Sequence, residues 1–258
     1  MKVSNKVFVV TGGGNGIGRA LVLELLRRGA KVAAVDIREE SLAETAALAN
    51  AGDRLATLVG DITDREAMAA LPSKVIEALG TVDGLIHNAG IIQPFETVEE
   101  LDYETIERVI DINLYGTIYV DKAFLPVLKT RPEAHLANVS SMGGFLPVPG
   151  QALYGATKAG VKLLTEGLYA ELLDTNVKVT TIFPGQVGTN ISGHSGVAPP
   201  VSEEEAGKYK VRPPDEVART ILDGIEDDKF HIYAGKSSRM MNILTRLAPR
   251  RATHIIQR

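Results

Sequence analysis

Two kinds of apolar pattern alternate along this chain. Short runs rich in β-branched residues predict strands, and they read KVFVV (6–10), KVAAV (31–35), LATLV (55–59), DGLIH (83–87), HLANV (135–139) and VKVTTI (177–182), with KFHIY (229–233) as a seventh candidate. Between them, apolar residues recur at helical spacing, as in 16–29 and 152–173. The alternation predicts an α/β fold with a doubly wound, mostly parallel seven-stranded sheet and helices on both faces.

No internal linker, repeat or low-complexity segment interrupts this alternation, so a single domain is expected over residues 1–235. Residues 190–212 are rich in Gly, Ser and Pro and follow the sixth predicted strand. A loop of this length in a compact domain is usually functional, and we expect a substrate lid there. A solvated surface loop is the competing interpretation.

Residues 236–258 form a basic C-terminal tail with five arginines, one lysine and no acidic residue. The segment SRMMNILTRLAP within it predicts a short amphipathic helix that ends at Pro249. Because the whole chain carries a formal charge of −4, a tail of +6 leaves −10 on the remainder. Docking of the tail on the protein's own acidic surface or on a subunit is favoured over peripheral contact with an anionic membrane.

Composition narrows the function classes. The chain has 258 residues, 45% of them hydrophobic, which is enough for one large core. A net charge of −4 argues against nucleic-acid binding. Without cysteine, disulfides and thiolate nucleophiles are excluded, and a cytoplasmic protein is expected because no apolar run approaches a secretory signal or a membrane span. The five histidines lack metal-ligand spacing, so no metal is predicted.

The segment TGGGNGIG (11–18) lies between the first predicted strand and a predicted helix. Glycines let the backbone turn sharply and approach a pyrophosphate, while the helix N-terminus offers N–H groups and a positive dipole end. The spacing is G-x-x-x-G-x-G, because Arg19 occupies the place where G-x-G-x-x-G counted from Gly14 requires a small residue. The segment therefore predicts the dinucleotide site of a Rossmann-type domain.

Charges after the second and third strands bear on which dinucleotide binds. Asp36 can accept both hydroxyls of the adenosine ribose and would repel a 2′-phosphate, which favours NAD over NADP. Arg38 argues for NADP, whereas the uncharged Asn15 argues against it. Asp61 and its neighbour Ile62 are placed to flank the adenine, although Asp61 could equally cap the next helix.

In combination, several motifs resemble the short-chain dehydrogenase/reductase family over residues 3–235: Thr11-Gly12-x-x-x-Gly16-Ile17-Gly18, Asn88-Ala89-Gly90, Asn113, Ser141, Tyr154-x-x-x-Lys158 and Pro184-Gly185. His87 departs from the pattern, since many members have asparagine there. The resemblance implies NAD(P)-dependent oxidoreduction of CH–OH groups by hydride transfer. Family members commonly pair through two long helices, and the apolar excess of 104–128 and 152–173 also predicts a homodimer or homotetramer.

The resemblance also implies the catalytic roles. Tyr154 would be the acid/base, and Lys158 would lower its pKa and bind the nicotinamide ribose. A phenol has a pKa of about 10, and a positive charge about 4 Å away contributes roughly the 4 kcal/mol needed to lower it by three units. Ser141 would hold the substrate oxygen, with Ser140 as the alternative. Asn113 would hold a water that links Lys158 to solvent, unless it is only a helix-bending amide.

The remaining contacts follow by position along the chain. Small residues after the fourth strand would run beneath the adenosine, and the segment after the sixth strand would turn around the nicotinamide. The expected cofactor-binding set is Thr11, Gly12, Asn15, Gly16, Ile17, Gly18, Asp36, Asp61, Ile62, Asn88, Ala89, Gly90, Tyr154, Lys158, Pro184, Gly185, Val187 and Thr189.

Candidate substrate contacts are mostly apolar, and they are Ile92, Phe145, Val148, Gln151 and Gln186. Two glutamines without arginine or lysine argue against a small carboxylate or phosphate. They favour a secondary alcohol or ketone on a steroid-, prenol-, acyl- or aromatic-like skeleton, although several of these residues could be core. The alternatives are an NADP(H)-dependent carbonyl or 3-oxoacyl reductase and a dinucleotide-binding scaffold or sensor. The complete Asn113, Ser141, Tyr154 and Lys158 set favours an enzyme.

Overall fold

The computed structural model describes residues 1–197, 211–235 and 238–256, with the side chains of 255 and 256 left aside. Seven parallel strands form one sheet in the order β3-β2-β1-β4-β5-β6-β7. Their bounds are β1 Val7–Thr11, β2 Lys31–Asp36, β3 Leu55–Val59, β4 Gly84–His87, β5 Ala134–Val139, β6 Val177–Pro184 and β7 His231–Ala234. The predicted strands are all confirmed, and the seventh candidate pairs with β6.

The strand order reverses beside β1. The chain moves outward from β1 to β3 and then returns to place β4 on the other side of β1. In open α/β sheets, ligands bind in the crevice outside the carboxyl ends of the strands at such a reversal. The glycine-rich segment after β1 and the segment 88–90 after β4 therefore border one crevice.

Helices cover both faces of this sheet. They are α1 Gly16–Arg27, α2 Glu39–Ala49, α3 Arg65–Leu79, α4 Tyr103–Ile110, α5 Gly116–Lys129, α6 Ala152–Glu171, α7 Ile191–Ser195, α8 Pro214–Glu226, α9 Ser238–Leu247 and α10 Pro249–Ile256. Asn15 caps α1 and Asp64 caps α3, each by accepting backbone N–H bonds. Asp61 therefore does not cap α3, which removes one of its two sequence-based interpretations.

Alternate residues of each strand supply two separate cores. Phe8 and Val10 of β1 pack with α1 and α8 on one face, whereas Val7 and Val9 pack with α3, α5 and α6 on the other. Both cores are built from buried branched and aromatic side chains, each of which stabilises the fold by roughly 1.5–3 kcal/mol when fully buried. The sheet is thus held rigidly at its centre, where β1 and β4 carry the crevice.

Three predicted segments differ from expectation in detail. The apolar stretch 104–128 is not one regular helix, because a π-helical turn at Asp111–Tyr115 separates α4 from α5. The tail helix ends before Pro249 as predicted, but Pro249 also starts a second helix, a first-turn position that suits proline. Within the expected lid, residues 191–195 form α7 and residues 198–210 lie outside the described residues. Every described helix is too short or too polar to cross a membrane.

Candidate active site

The glycine-rich segment after β1 requires glycine for close approach. Gly12 has a φ of +66°, and a Cβ there would lie 2.8 Å from Asn88 Nδ2. A Cβ on Gly18 would overlap the carbonyl oxygen of Gly12. Gly16 also has a positive φ, of +52°. The G-x-x-x-G-x-G spacing thus brings the chain close to the segment after β4 immediately before the N-terminus of α1.

The side chain of Thr11 links the carboxyl end of β1 to the segment that follows β4. Its Oγ1 accepts hydrogen bonds from the backbone N–H of Asn88 at 3.0 Å and of Ala89 at 3.2 Å. Both lone pairs are then used, so the hydroxyl donates to Nδ1 of His87 at 3.0 Å. His87 is a buried neutral ring, and its pKa falls to about 3 because of burial and, to a lesser degree, the charge of Lys158. Thr11 therefore shapes the crevice without lining it.

A cleft of about 250 Å³ opens above this framework. Eleven residues of the expected cofactor set line it, namely Gly12, Asn15, Gly16, Ile17, Asp36, Asp61, Ile62, Asn88, Ala89, Gly90 and Thr189. Arg38, weighed above for NADP, also lines it. The cleft has further walls outside the expected cofactor set. Ile191 and His194 belong to the expected lid, Ile91 adjoins the expected contacts Gly90 and Ile92, and the residues that the sequence did not indicate are Val35, Ile37, Gly60, Arg108 and Ile112. Position after a strand could have indicated Ile37 and Gly60, but no local signal indicated Arg108.

Asp36 carries a fixed negative charge at one end of the cleft. Its carboxylate accepts from the backbone N–H of Gly14 at 3.0 Å and of Arg38 at 3.1 Å. The guanidinium Nε of Arg38 lies 3.9 Å from the same carboxylate. Arg19, in contrast, is held by the Gly14 carbonyl, Thr45 and Glu44. Asp36 and Arg38 are therefore the charged side chains that line this end of the cleft.

Helix α7 lies over the cleft and is bonded to both of its sides. Asn15 uses its side-chain oxygen to accept from Gly16 N–H, so its amide nitrogen donates to Nε2 of His194 at 3.3 Å. His194 must then be neutral, and burial followed by the charge of Arg38 lowers its pKa. On the other side, Ser195 Oγ accepts from Ile92 N–H at 3.0 Å.

At the opposite end of the site, Tyr154 and Lys158 lie one turn apart on α6. Lys158 is buried and donates from Nζ to the Val139 carbonyl at 3.0 Å. Burial lowers the pKa of this ammonium to about 8. A Cβ on Gly90 would lie 3.1 Å from Lys158 Nζ and 3.0 Å from Asn113 Oδ1, so glycine at this position leaves room for both side chains.

Tyr154 lies against the turn that follows β5. A Cβ on Gly143 would lie 3.3 Å from the Tyr154 ring and 3.5 Å from Ser141 Oγ. Partial burial raises the pKa of Tyr154 above its ordinary value, and the hydrogen bond from Ser141 opposes that rise. The expected net lowering of the Tyr154 pKa by Lys158 is therefore not found in this structure, where burial dominates and the direction is upward.

The other two members of the expected catalytic set have defined partners. Asn113 lies in the π-helical turn and clamps residue 91, accepting from Ile91 N–H and donating to Ile91 C=O, both at 2.9 Å. It also donates to Thr157 of α6 at 3.2 Å. Ser140 donates to the Lys158 carbonyl at 2.7 Å, which leaves Ser141 as the serine beside Tyr154. Both amide hydrogens of Asn113 are thus used, and its Oδ1 accepts one hydrogen bond, while the expected water between Asn113 and Lys158 stays a prediction.

Comparison with known proteins agrees with this geometry. The family model described as short chain dehydrogenase matches residues 6–197. The putative oxidoreductase SadH of Mycobacterium tuberculosis is 34% identical over 255 residues, which cover 94% of this chain and 90% of SadH. This chain belongs to the short-chain dehydrogenase/reductase family. It is an oxidoreductase of the NAD(P)-dependent kind.

Solved structures of other short-chain dehydrogenases share the fold. One from Burkholderia phymatum in complex with NAD has a TM-score of 0.86 and 26% identity, covering 100% of this chain and 97% of its own. Another, from Burkholderia cenocepacia in complex with NADP, has a TM-score of 0.83 and 27% identity, with both chains fully covered.

A further sequence relative, an uncharacterized oxidoreductase of Staphylococcus saprophyticus, is 36% identical over 75% of this chain and 83% of its own.

In this short-chain dehydrogenase, the expected substrate contacts divide into two groups. Gln151 is buried and donates to the carbonyls of Gln93, Pro94 and Gly150, so it supports the framework rather than a free wall. Ile92 is buried as well. The other expected contacts are less enclosed, with Phe145 and Val148 partly buried and Gln186 exposed.

The remaining expected cofactor contacts lie around these walls. Pro184 is buried at the end of β6, and a Cβ on Gly185 would lie 3.4 Å from Gly235. Val187 pairs with Arg212 in an isolated parallel bridge and packs on the core beside α1. Thr189 lies against Gly16, since a Cβ added to Gly16 would be 3.1 Å from the methyl group of Thr189. The segment after β6 thus crosses back to the glycine-rich turn.

Proposed function

We propose that this short-chain dehydrogenase transfers a hydride between NAD(H) and a secondary alcohol or ketone on an apolar skeleton. The observation that carries the proposal is the pairing of Tyr154 with a buried Lys158, beside Ser141, at the end of a crevice whose other end holds Asp36. The crevice fits a dinucleotide because Gly12 and Gly90 leave space that a Cβ would fill. When bound, the nicotinamide supplies the hydride acceptor or donor.

Each catalytic side chain has a separate task in this proposal. Ser141 holds the substrate oxygen, and Tyr154 exchanges a proton with that oxygen. Because burial raises the pKa of Tyr154, the phenol carries its proton at neutral pH and is ready to act as the acid in carbonyl reduction. Lys158 contributes positive charge below a pKa of about 8 and binds the ribose of the nicotinamide half. Asn113 positions residue 91 against α6.

NAD is proposed over NADP because the Asp36 carboxylate is buried and held by two backbone N–H groups. A 2′-phosphate at this position would be repelled by it. Arg38 supports the alternative of an NADP(H)-dependent carbonyl or 3-oxoacyl reductase, since its guanidinium lines the same cleft. Structurally similar family members are known in complex with either cofactor.

The less enclosed substrate contacts, Phe145, Val148 and Gln186, indicate the substrate class. Phe145 meets Phe183 edge-on with ring centroids 5.4 Å apart and approaches Tyr233 at 6.5 Å. Val148 adds a second partly buried apolar side chain, whereas Gln151 is occupied by backbone carbonyls. Gln186 is then the polar group of the expected set that remains exposed. Such a wall favours an apolar skeleton over a small anion.

We further propose a catalytic domain at 1–235 with a lid at 190–212, in a cytoplasmic homodimer or homotetramer. A groove of about 380 Å³ between α5 and α6 supports subunit contact, because its walls include Ile118, Leu125 and Leu164. Light scattering at micromolar concentration should give at least twice the mass of 27.6 kDa. A monomer would contradict the proposed interface.

The function is tested with a panel of secondary alcohols and ketones, each assayed with NAD(H) and NADP(H) by absorbance of the reduced nicotinamide. Turnover is expected with apolar members of the panel and with NAD(H) preferred. Preference for small charged substrates would overturn the substrate class, and tighter use of NADP(H) would overturn the cofactor assignment. Dinucleotide binding without turnover of any compound would instead favour the scaffold or sensor.

A further inference from the structure

The outer face of α9 combines exposed apolar side chains with arginines. Met240 is 63% exposed, Ile243 50% and Leu247 81%. Residues three, four and seven apart lie on one side of a helix, so these three side chains form one ridge. Arg239 and Arg246 are exposed on the same side of the helix, next to this ridge.

The inner face of α9 is the polar one. Ser238 and Asn242 are buried, and Asn242 donates to the Tyr233 hydroxyl at 2.6 Å. The following helix, α10, is anchored through the buried Ala252. The tail is therefore seated on the protein partly through polar side chains, while Met240, Ile243 and Leu247 face away from it.

Arginines of both tail helices flank the ridge. Arg250 and Arg251 of α10 are exposed, and residues 236–258 contain no aspartate or glutamate. Within the ranges that the structure describes, none of the four arginines of α9 and α10 forms an ion pair with a carboxylate. A partner for this face must accept both apolar insertion and several cations.

We propose that the outer face of α9 and α10 binds the surface of an anionic lipid bilayer. Met240, Ile243 and Leu247 would enter the boundary of the acyl chains, and the arginines would contact headgroup phosphates. Helices with a narrow apolar face and a basic flank bind in this way, with strength set by apolar area and anionic lipid content. A protein interface of ordinary size needs about 20–30 residues on each side, far more than this ridge supplies.

The location of the helix gives such binding a use, which rests on the proposed function. Helix α9 begins beside the substrate end of the site, because a Cβ on Gly185 would lie 3.4 Å from Ser238 Oγ and 3.5 Å from Met142 Sδ. Met142 directly follows Ser141 in the chain. A bilayer under α9 would bring an apolar alcohol or ketone dissolved in it close to the catalytic tyrosine.

The test is co-sedimentation of the full-length protein with vesicles. One set contains phosphatidylcholine alone, and the other contains phosphatidylcholine mixed with phosphatidylglycerol. We expect binding to the anionic vesicles, release by added salt, and little binding to the neutral ones. The Met240→Ser/Ile243→Ser/Leu247→Ser variant should bind the anionic vesicles about tenfold or more weakly. Leu48→Ser, a change of similar chemistry at a position 63% exposed on α2, should bind as the wild type does.

Several results would overturn the proposal. They are an absence of binding to anionic vesicles, binding that the triple substitution does not weaken, and loss of subunit assembly in the triple variant without loss of vesicle binding. The last result would make the ridge an interface between copies. Turnover of a water-soluble substrate by the triple variant should equal that of the wild type. A protein without turnover would contradict the proposed function and leave the vesicle result intact.

Discussion

Asp36 and Lys158 are both buried charged groups at opposite ends of the site, but their surroundings differ. The Asp36 carboxylate accepts two backbone N–H bonds, one to each oxygen. Lys158 donates to a single carbonyl, and burial lowers its pKa to about 8. Tyr154 beside it has its pKa raised. Backbone donors fix the position of the carboxylate at the adenosine end, whereas burial shifts the pKa values of the two groups at the catalytic end.

The difference teaches how one crevice serves recognition and chemistry. A recognition charge is most selective when backbone donors hold it fixed, because a competing ligand then meets a repulsion that cannot relax. A proton-transfer group is most effective when its pKa approaches the working pH. We therefore expect substitutions at the two ends to change different measured quantities.

Removing the phenol hydroxyl should give the largest effect. Tyr154→Phe keeps the ring but removes the proton donor, so turnover should fall by about 10²–10⁴ while NAD affinity stays nearly unchanged. Tyr103→Phe, at a tyrosine that is 82% exposed, serves as the control and should be fully active. Retention of more than about a tenth of the turnover would exclude Tyr154 as the acid/base.

Replacing the buried ammonium should stabilise the fold while stopping the reaction. The pKa of Lys158 is lowered from 10.5 to about 8 on folding, so burial of the charged form disfavours the native state by about 3 kcal/mol at pH 7. Lys158→Met removes this penalty and one hydrogen bond, for a net gain of about 2 kcal/mol. Urea unfolding of both proteins at pH 7 measures the difference.

The pH dependence of that difference has a defined sign. Between pH 8 and 10.5 the unfolded chain still holds the Lys158 proton that the native state has lost, so wild-type stability rises with pH through this window. The advantage of the methionine variant should therefore shrink as pH rises from about 8 to 10.5. A gap that is constant with pH would show that Lys158 does not titrate as described.

Changes at the adenosine end should alter cofactor choice with smaller energies. Asp36→Ala removes the repulsion of a 2′-phosphate, and the ratio of NAD to NADP affinity should fall about tenfold or reverse. Arg38→Ala should move the ratio the other way, because it removes a cation that would attract the phosphate. Asp53→Ala, at an exposed aspartate, is the control. Titration of both cofactors decides the matter, and a wild type that binds NADP more tightly would contradict the assignment.

Removing the hydrogen bond between Asn15 and His194 across the cleft should give the smallest of these effects. His194→Ala removes the acceptor for Asn15, a bond worth about 0.5–1.5 kcal/mol, so amide exchange in 191–195 should quicken accordingly. His254→Ala, at an exposed histidine, should not change it. Joint binding of NAD and a substrate analogue should slow exchange across 190–212 in the wild type. Unchanged exchange would remove the lid from the mechanism.

The sequence predicted the features that depend on neighbouring residues in the chain. Strand positions followed from β-branched runs, and Gly12 and Gly18 followed from the close approach of two backbone segments. Gln151 shows where such reasoning ends. It precedes the catalytic helix and looks like a wall residue, yet its amide serves carbonyls that include Gln93, 58 residues away.

The same limit applies to His194 and to the pKa of Tyr154. His194 reaches a partner 179 residues away, and nothing near it in the chain signals that contact. The Coulomb estimate for Tyr154 counted one neighbouring charge but not the burial of the ring, which only the folded chain supplies. Residue type was enough to predict features set by nearby residues in the chain. It was not enough for the His194 contact or the pKa of Tyr154, because elements distant in the sequence determine both.

The π-helical turn at residues 111–115 changes the direction in which the side chains of α5 point relative to those of α4. Gly116 N–H donates to the Asp111 carbonyl, five residues back instead of four. The extra residue turns every later side chain by about 100° from its place on an uninterrupted α-helix. Within this turn Asn113 points toward residue 91, and downstream of it Ile118 and Leu125 line the groove beside α6. One continuous run of chain thus contributes an active-site residue and part of the groove, with the shift in helical period between them.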